Sequence, residues 1–473
     1  MNRKMLFLAR AVVYLLAFVV PPVLISVVGV KAGAESARYA GPPAAARVQA
    51  GELPAPPQHN PDKPTAVVLL SNQGSEVTDV LAPYEVLSES GAFNVYAAAP
   101  EREAATLSGG LDVLPQLSLA ELDRRLRGED PDVIVVPAMW NVGSAEHRPV
   151  AAWLKEHAEG TGTLMSVCNG AEVLADAGIL DGRRATANWA NIAKWQSRYR
   201  DTEWVRGRRY VEDGNVTTAA GVTSGVSATL RVVRGYVGEE AATSLARKIG
   251  YPDQRLGEEP RIEADRLTVS DRALYVLWAA YGWGKPRIGV ALNEGTSEIE
   301  LASVFDVYPG PVFTSKTTSL APHGSRSPVR SEHGLLFVPR YDLGGTPPLD
   351  RVLVPGRDAA SETDPAVRSW ARENGLKPEY VHADAPVGFP FDATLRDVAE
   401  HENAPVASFL ARLLEYPTGH LDLAGGGWPF ARLLRPLAAG LLGLAAVAAL
   451  DQLVLASATK RLRRPPTPKG TGA

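Results

Sequence analysis

Short apolar runs and segments of helical period alternate through the middle of the chain. Three mostly apolar runs, 66–70, 132–136 and 163–167, have the length and composition of strands that are buried on both faces. Segments with apolar residues at helical spacing lie between and after them, at 80–88, 151–157, 170–177 and 225–237. This alternation predicts an α/β fold in which helices cover both faces of a parallel sheet.

Two longer apolar segments lie near the ends of the chain. Residues 11–30 carry no charge and follow Arg3, Lys4 and Arg10, whereas 437–456 precede a second basic cluster. Each segment is long enough to cross the ~30 Å hydrocarbon core of a bilayer. Because the basic flanks lie before the first segment and after the second, the positive-inside rule predicts a cell-membrane protein with two spans, cytoplasmic termini and extracytoplasmic central domains.

Each apolar segment also has a second interpretation. Pro21, Pro22 and the small residues at 32–34 are compatible with a cleaved signal peptide. Asp451 and Gln452 are costly inside a bilayer, so the second segment is also compatible with an amphipathic or helix-pairing element.

An internal repeat divides the region between these segments. Three pairs of segments match in order: 75–86 with 297–307, 132–137 with 350–355, and 246–252 with 411–417. In the first pair Asp79 stands opposite Glu300. The sequence therefore predicts two tandem copies of one fold, of which the second is shortened and has 380–384 where the first has a cysteine turn.

These boundaries give a map of the whole chain. The predicted parts are an N-terminal transmembrane helix or signal anchor (1–34), a linker (35–63), a first α/β domain (64–256), a connecting segment (257–285), a shortened second domain (286–420), a C-terminal transmembrane helix (430–459) and a basic cytoplasmic tail (460–473).

The composition excludes several classes of function. A net charge of −4 over 473 residues and the lack of a basic helix-turn-helix segment give no reason to expect nucleic-acid binding. One cysteine excludes an internal disulfide framework, and no cluster has the spacing of a metal site. The sequence shows no P-loop or dinucleotide fingerprint, so no cofactor is expected.

The single cysteine, Cys168, stands where an apolar run ends and a helix-forming run begins. Such a turn lifts a side chain clear of the sheet, and the helix N-terminus that follows favours a thiolate. The same residue is also compatible with a small buried apolar side chain. From this pattern alone, Cys168 is a candidate nucleophile.

The turn and its surroundings resemble the PfpI/DJ-1 family of the class I glutamine-amidotransferase-like superfamily. The resemblance is carried by 166–171, 174–186 and 217–227, and it is strongest to a branch with isonitrile hydratase-like enzymes and the ligand-binding halves of AraC-type regulators. It implies a flavodoxin-like three-layer sandwich. It also implies that Cys168 is the elbow at the tip of a central strand and that Asp79 is the acid beside the thiol, with Glu85 as the alternative acid.

The resemblance further implies a ligand pocket around the elbow, with two departures from the family pattern. Its predicted ligand-binding residues are Ala138, Met139, Asn169, Gly170, Asn188 and Thr223. Asn188 stands where many relatives have histidine, and an amide cannot move a proton near neutral pH. Ala138 and Met139 stand where relatives have a glycine pair, so side chains crowd the approach. His147 and His157 lie in surface-like contexts and are expected to be solvated.

Different classes of function remain open from the sequence. The first is a cysteine-dependent hydrolase or hydro-lyase of the hydratase, amidase or glyoxalase kind, with Cys168 and Asp79 as its catalytic groups. The second is a non-catalytic module that senses a ligand or an oxidant, and the third is a structural surface protein without an active pocket. The expected partners are a small molecule and the membrane, with pairing of the two copies or a homo-oligomer as further possibilities.

Overall fold

The computed structural model describes residues 3–38, 53–252, 261–262, 267–310, 312, 314–322 and 327–462. The chain divides into two compact units. The helical unit comprises the chain up to Gly33, Tyr275–Trp283 and the chain from Pro429. The α/β unit comprises Ala34–Leu274 and Gly284–Trp428.

The described residues form strands and helices with the following bounds. The strands are β1 Thr65–Leu69, β2 Asn94–Ala99, β3 Ala105–Leu107, β4 Leu111–Leu114, β5 Leu117–Ser118, β6 Val133–Val136, β7 Thr163–Val167, β8 Arg184–Ala185, β9 Glu203–Trp204, β10 Tyr210–Asp213, β11 Val216–Ala219, β12 Arg287–Ala291, β13 Lys316–Leu320, β14 Val329–Arg330, β15 Leu336–Val338, β16 Arg351–Leu353 and β17 Pro378–Glu379. The helices are α1 Arg3–Arg38, α2 Val77–Glu89, α3 Leu119–Leu126, α4 Arg148–His157, α5 Gly170–Asp176, α6 Ile192–Arg198, α7 Ser224–Val237, α8 Glu239–Lys248, α9 Val269–Tyr281, α10 Glu298–Val307, α11 Ala359–Glu362, α12 Pro365–Glu373, α13 Pro390–His401, α14 Ala404–Leu413 and α15 Leu434–Leu462.

A seven-stranded sheet forms the centre of the first lobe, which we define as residues 65–252. Its strand order is β10-β11-β7-β6-β1-β2-β5, and every neighbouring pair except β10 and β11 is parallel. Helices α2 and α7 pack on one face, and α3, α4 and α5 lie on the other. The five residues of β1 and the four of β6 are all buried, as expected for parallel strands covered on both faces. The predicted α/β fold with a mostly parallel sheet is confirmed.

The second lobe, residues 287–417, contains a smaller parallel sheet. Its strand order is β13-β12-β16-β17. The corresponding part of the first sheet reads β2-β1-β6-β7. In both sheets the four strands therefore stand in the spatial order second, first, third, fourth, counted along the chain. Helices α2 and α10 contact each other across the lobes. All ten residues of α10 and the eleven residues 77–87 of α2 are buried, as expected for helices packed on every side.

An antiparallel four-stranded sheet, β14-β15-β4-β3, and a buried ion pair also connect the two lobes. Strand β4 of the first lobe pairs antiparallel with β15 of the second. Beside this junction the guanidinium of Arg340 donates from Nε and Nη2 to the two carboxylate oxygens of Asp112, each at 2.9 Å. A bidentate geometry of this kind is the strongest form of Arg–carboxylate contact.

The helical unit contains two helices that are long and apolar enough to cross a membrane, over Phe7–Gly33 and Phe430–Val454. Pro21 and Pro22 lack the N–H groups that would bond to the carbonyls of Ala17 and Phe18. Those carbonyls lie against Gly443 and Gly440, where a Cβ would stand only 2.0 and 2.8 Å from the two oxygens. Glycine therefore permits the close approach of α15 to α1.

An ion pair joins the same two helices, because Arg10 Nη2 lies 3.1 Å from Asp451 Oδ1.

The predicted domain boundaries remain predictions. Helix α1 continues to Arg38, and the rest of the predicted linker up to 52 lies outside the described residues. The connecting segment contains α9, and α15 ends at Leu462, so most of the basic tail is also outside the described residues.

Candidate functional site

Cys168 occupies a sharp turn between β7 and α5. Its φ is +57°, a left-handed conformation that residues other than glycine rarely adopt and that costs on the order of 1–2 kcal/mol. Its backbone N–H donates to the carbonyl of Ala219 on the neighbouring strand at 3.1 Å. This hydrogen bond holds the strained residue at the carboxyl end of the central strands.

The turn depends on close packing of two glycines. A Cβ on Gly170 would lie 2.1 Å from the carbonyl oxygen of Val136, so only glycine lets α5 begin against the end of β6. A Cβ on Gly225 would lie 2.7 Å from the side chain of Val167. The geometry gives Gly170 a packing role beside the elbow; it is not among the residues that line the pocket, and its predicted ligand contact stays a prediction.

A pocket of about 430 Å³ opens beside Cys168. Its walls come from the loop after β6, the cysteine turn, α6 and the end of α10. The lining residues are Glu76, Ser108, Gly109, Ala138, Met139, Trp140, Asn141, Val142, Cys168, Asn169, Glu172, Asn191, Lys194, Trp195, Phe305, Asp306, Pro309 and Gly310. The structure thus brings Cys168, Asn169, Ala138 and Met139 together as pocket-lining residues.

Asp79 lies in the first turn of α2 and is fully buried. Its Oδ2 accepts a hydrogen bond from the backbone N–H of Ala138 at 3.0 Å, which ties the acid to the wall of the pocket. Its Oδ1 makes no hydrogen bond within the described part of the chain. Burial, and then the nearby Glu76 carboxylate, raise the pKa of Asp79 well above its usual value, so the acid form is favoured and Oδ1 is free to carry the proton.

The thiol is protonated at rest. Burial is the main cause that raises the pKa of Cys168 well above its usual value, and the carboxyl groups of Asp79 and Glu76 raise it further when they are ionised. The sequence predicted that the helix N-terminus would favour a thiolate. That expectation is reversed because the cysteine is only 6% exposed and faces carboxyl groups.

Asn169 is fixed in orientation by two donors. Its Oδ1 accepts from Asn191 Nδ2 at 3.1 Å and from Trp195 Nε1 at 3.3 Å. Two other predicted ligand residues are not among those lining the pocket. Asn188 Oδ1 accepts from the N–H of Ala190, and Thr223 Oγ1 donates at 2.9 Å to the carbonyl of Leu414 in the second lobe.

Several pocket residues were missed from the sequence. Glu76 accepts at Oε2 from the N–H of Asp79 at 2.6 Å, so it caps α2 and faces the pocket at once. The cap at the matching point of α10 is Ser297, so the repeat gave no signal for Glu76. Nothing local to Asp306 indicates that it lines a pocket of the other lobe.

His147 and His157 correct a prediction, because both are buried and not solvated. The Nδ1 atom of His157 lies 2.6 Å from Asp130 Oδ1, and burial lowers the pKa of His147. Neither histidine lines the pocket. The helix and loop that carry them pack against the sheet, which the local sequence did not show.

The second lobe has His382 where the first has Cys168. Leu164 on β7 pairs with Ile134, and Pro378 on β17 pairs with Val352, which is the equivalent residue of the second sheet. Cys168 and His382 each lie four residues after this paired position, so they fall at the same point of the two lobes. The Nδ1 of His382 accepts from the N–H of Gly356 at 3.1 Å, and Nε2 lies 3.0 Å from Ser303 Oγ. Burial, followed by the charge of Arg357, lowers its pKa to about 3. The imidazole is therefore neutral and fully hydrogen-bonded.

Comparison with known proteins identifies the family of the first lobe. Residues 65–234 match the DJ-1/PfpI family model. The chain is 35% identical over 133 residues to an uncharacterized protein in the cpoL 5' region of Streptomyces lividans, covering 28% of this chain and 92% of that protein. It is 29% identical over 179 residues to an isonitrile hydratase of Pseudomonas putida, covering 37% of this chain and 72% of that protein.

Among solved structures, a ThiJ/PfpI family protein from Pseudomonas syringae matches with a TM-score of 0.36 and 23% identity. That match covers 42% of this chain and 83% of the other. The family match spans the sheet that carries the elbow, its acid and most of the pocket. The chain belongs to the DJ-1/PfpI family.

Proposed function

We propose that this protein is a membrane-anchored, cysteine-dependent enzyme that adds the Cys168 thiol to a small uncharged electrophile, with isonitrile hydration as the best-supported reaction. One observation carries the proposal. A strained elbow cysteine lines an open pocket whose wall is tied to a buried, protonated Asp79. The likeness to an isonitrile hydratase supports the choice of substrate class.

The protonation states fit an addition that needs both a nucleophile and an acid. In the first step the sulfur of Cys168 bonds to the isonitrile carbon while Asp79 delivers a proton to that carbon. The thiol proton passes to the carboxyl groups, so the sum is addition of S–H across the carbon and the product is a thioimidate. Water then bonds to the same carbon, the C–S bond breaks, and an N-substituted formamide leaves with the thiol restored.

The charges of the pocket favour an uncharged substrate. Its acidic lining residues are Glu76, Glu172 and Asp306, against the single cation of Lys194 among the described lining residues. An anionic substrate would meet repulsion here. The described lining residues include no histidine, and we assign the proton transfer to Asp79, which lies directly behind the pocket wall at Ala138.

We also propose that the second lobe is a degenerate copy of the first and that the two long helices anchor the chain in the cell membrane. The matching strand orders and the position of His382 support the duplication. The proximity of the two apolar helices supports a pair of spans, and the positive-inside rule favours an α/β unit outside the cytoplasm. The Cys168 pocket would then act on extracytoplasmic small molecules.

The test is turnover of a small alkyl isonitrile by the purified full chain in detergent micelles. The expected product is the N-alkylformamide, measured by mass spectrometry. Cys168→Ala should abolish turnover, and Asp79→Asn should lower kcat by about 10²–10⁴-fold because it removes the proton donor.

A matched control is His382→Gln, at the equivalent point of the second lobe. Glutamine offers the same acceptor and donor as the neutral imidazole, so activity should stay near that of the wild type. Turnover that survives Cys168→Ala would refute the proposal. Saturable binding of the isonitrile without formamide would favour the alternative, a ligand-sensing module.

A further inference from the structure

Asp306 belongs to the second lobe but lines the pocket of the first. It is 6% exposed, and its Oδ2 accepts a hydrogen bond from Thr78 Oγ1 on α2 at 2.8 Å. The backbones approach closely at this point, because a Cβ on Gly109, whose φ is +78°, would lie 1.9 Å from the carbonyl oxygen of Phe305. The end of α10 is therefore a built wall of the Cys168 pocket.

Glu76 lies between Asp306 and Asp79. Both of its oxygens act as acceptors, Oε2 from the N–H of Asp79 at 2.6 Å and Oε1 from Ser108 Oγ at 3.3 Å, which suits a carboxylate. Burial, and then the charge of Glu76, raise the pKa of Asp306 well above its usual value, as they do for Asp79. Two neutral acids thus face one carboxylate beside the thiol.

We propose that Asp306 is a positioning residue of the Cys168 pocket, where it completes with Glu76 and Asp79 a three-carboxyl cluster that holds the proton Asp79 donates. Three acids so close together cannot all ionise, so the cluster keeps protons at a pH where an isolated carboxyl would lose them. The second lobe therefore contributes to the chemistry of the first. The inference rests on the proposed function only for the use made of that proton.

Charged or titratable groups from several elements surround the thiol, and each of them contributes to the pH dependence of its reactivity. The titratable or charged groups around the thiol and its pocket are Glu76, Asp79, Glu172, Lys194, Asp306 and Glu415. Of these, Asp306 is supplied by α10, and Glu415 lies just beyond α14. Removing the carboxyl of Asp306 leaves the other five in place.

The first lobe supplies a matching acid to the second. Glu85 occupies the position in α2 that Asp306 occupies in α10, and its Oε2 accepts from Ser297 Oγ at 2.6 Å and from the N–H of Ile299 at 2.7 Å. It lines a separate pocket of about 320 Å³ together with Glu300 and Gly356. Glu85→Gln therefore makes the same chemical change at a lobe contact away from Cys168.

The experiment measures the rate of Cys168 alkylation by iodoacetamide in the full chain, from about pH 6 to pH 10.5. We expect Asp306→Asn to match the wild type at the acid end of this range, where the cluster holds its protons. At alkaline pH the wild-type cluster gains a further negative charge that opposes the thiolate, so Asp306→Asn should react at least about threefold faster near pH 9.5. Asp306→Glu should restore the wild-type profile, and Glu85→Gln should leave it unchanged.

An Asp306→Asn profile that superimposes on the wild type, or an equal shift in Glu85→Gln, would overturn the proposal. If the thiol is too shielded to react, the pH dependence of thermal unfolding is the deciding measurement. Asp306→Asn should lack part of the stability that the wild type loses as pH rises. An unchanged pH dependence would refute the proposed cluster. Neither measurement uses an isonitrile. If isonitrile turnover fails but the pH profile of Cys168 alkylation shifts as expected, the proposed reaction is contradicted and the carboxyl cluster is still supported.

Discussion

The buried ion pair between Arg340 and Asp112 allows a quantitative test of how the lobes are held together. Their side chains are 3% and 1% exposed, and the pair is bidentate. Asp112→Asn removes the negative charge that faces the buried guanidinium of Arg340 in the bidentate pair. Removing one partner of such a pair costs about 3–5 kcal/mol, whereas replacing both by apolar residues of similar size is close to neutral.

The expected shift in melting temperature follows from the size of the α/β unit. It has about 390 residues, which gives an unfolding entropy of about 0.8 kcal/mol/K. A loss of 3–5 kcal/mol therefore lowers Tm by about 4–6 °C. The assay is thermal unfolding of the full chain in micelles, followed by tryptophan fluorescence.

The exposed pair Arg184 and Glu203 is the control. Its side chains are 56% and 72% exposed, so Glu203→Gln should change Tm by less than about 1 °C. The double variant Asp112→Leu with Arg340→Met should recover most of the loss seen in Asp112→Asn. A Tm for Asp112→Asn as close to the wild type as that of the control, or a double variant worse than Asp112→Asn, would refute this account of the junction.

Three further changes test other parts of the fold. Gly170→Ala should distort the elbow, since its Cβ would lie 2.1 Å from the Val136 carbonyl; we expect a changed rate of Cys168 alkylation, and an unchanged rate would count against the packing role. Gly443→Ala should separate α15 from α1 and lower the Tm of the full chain in micelles, whereas Gly427→Ala, which meets nothing within 4 Å, should not. Burial raises the pKa of Glu85 to about 8 from 4.5, so its contribution to stability is present below about pH 4.5 and is lost as pH rises through 8. The Tm of Glu85→Gln should not show this loss. A Tm of Glu85→Gln that falls with pH as in the wild type would contradict the prediction.

The first lobe was predictable because its signals are local. The apolar runs at 66–70, 132–136 and 163–167 correspond to β1, β6 and β7, since strands buried on both faces need apolar residues at every position. Asp79 was identified by resemblance to a family pattern; the structure buries it beside Ala138, and its role as the acid stays a prediction. The protonated state of Cys168 was not predictable, because it depends on burial and on carboxyls distant in sequence.

The contribution of the second lobe to the Cys168 pocket could not be predicted from the sequence, for a different reason. Asp306 lies 227 residues after Asp79, and only the packing of α10 on α2 brings it to the same pocket. Helical periodicity gives no sign of this contact, because both helices are buried on every side. The repeat predicted two copies of one fold, but not that each lobe inserts an acid beside the other.

The acids that the two lobes insert beside each other give the second lobe a physical role that its own elbow position lacks. At the elbow position of the second lobe, His382 is neutral and both of its ring nitrogens are hydrogen-bonded, so that position offers no nucleophile. The same lobe nevertheless supplies Asp306 and the wall around it to the Cys168 pocket. Removing the second lobe would expose the buried helix α2 and also open the carboxyl cluster to water, where Asp79 would lose its proton more easily. If the cluster acts as proposed, the first lobe cannot keep the same acid chemistry alone, even where its own sheet and elbow remain folded.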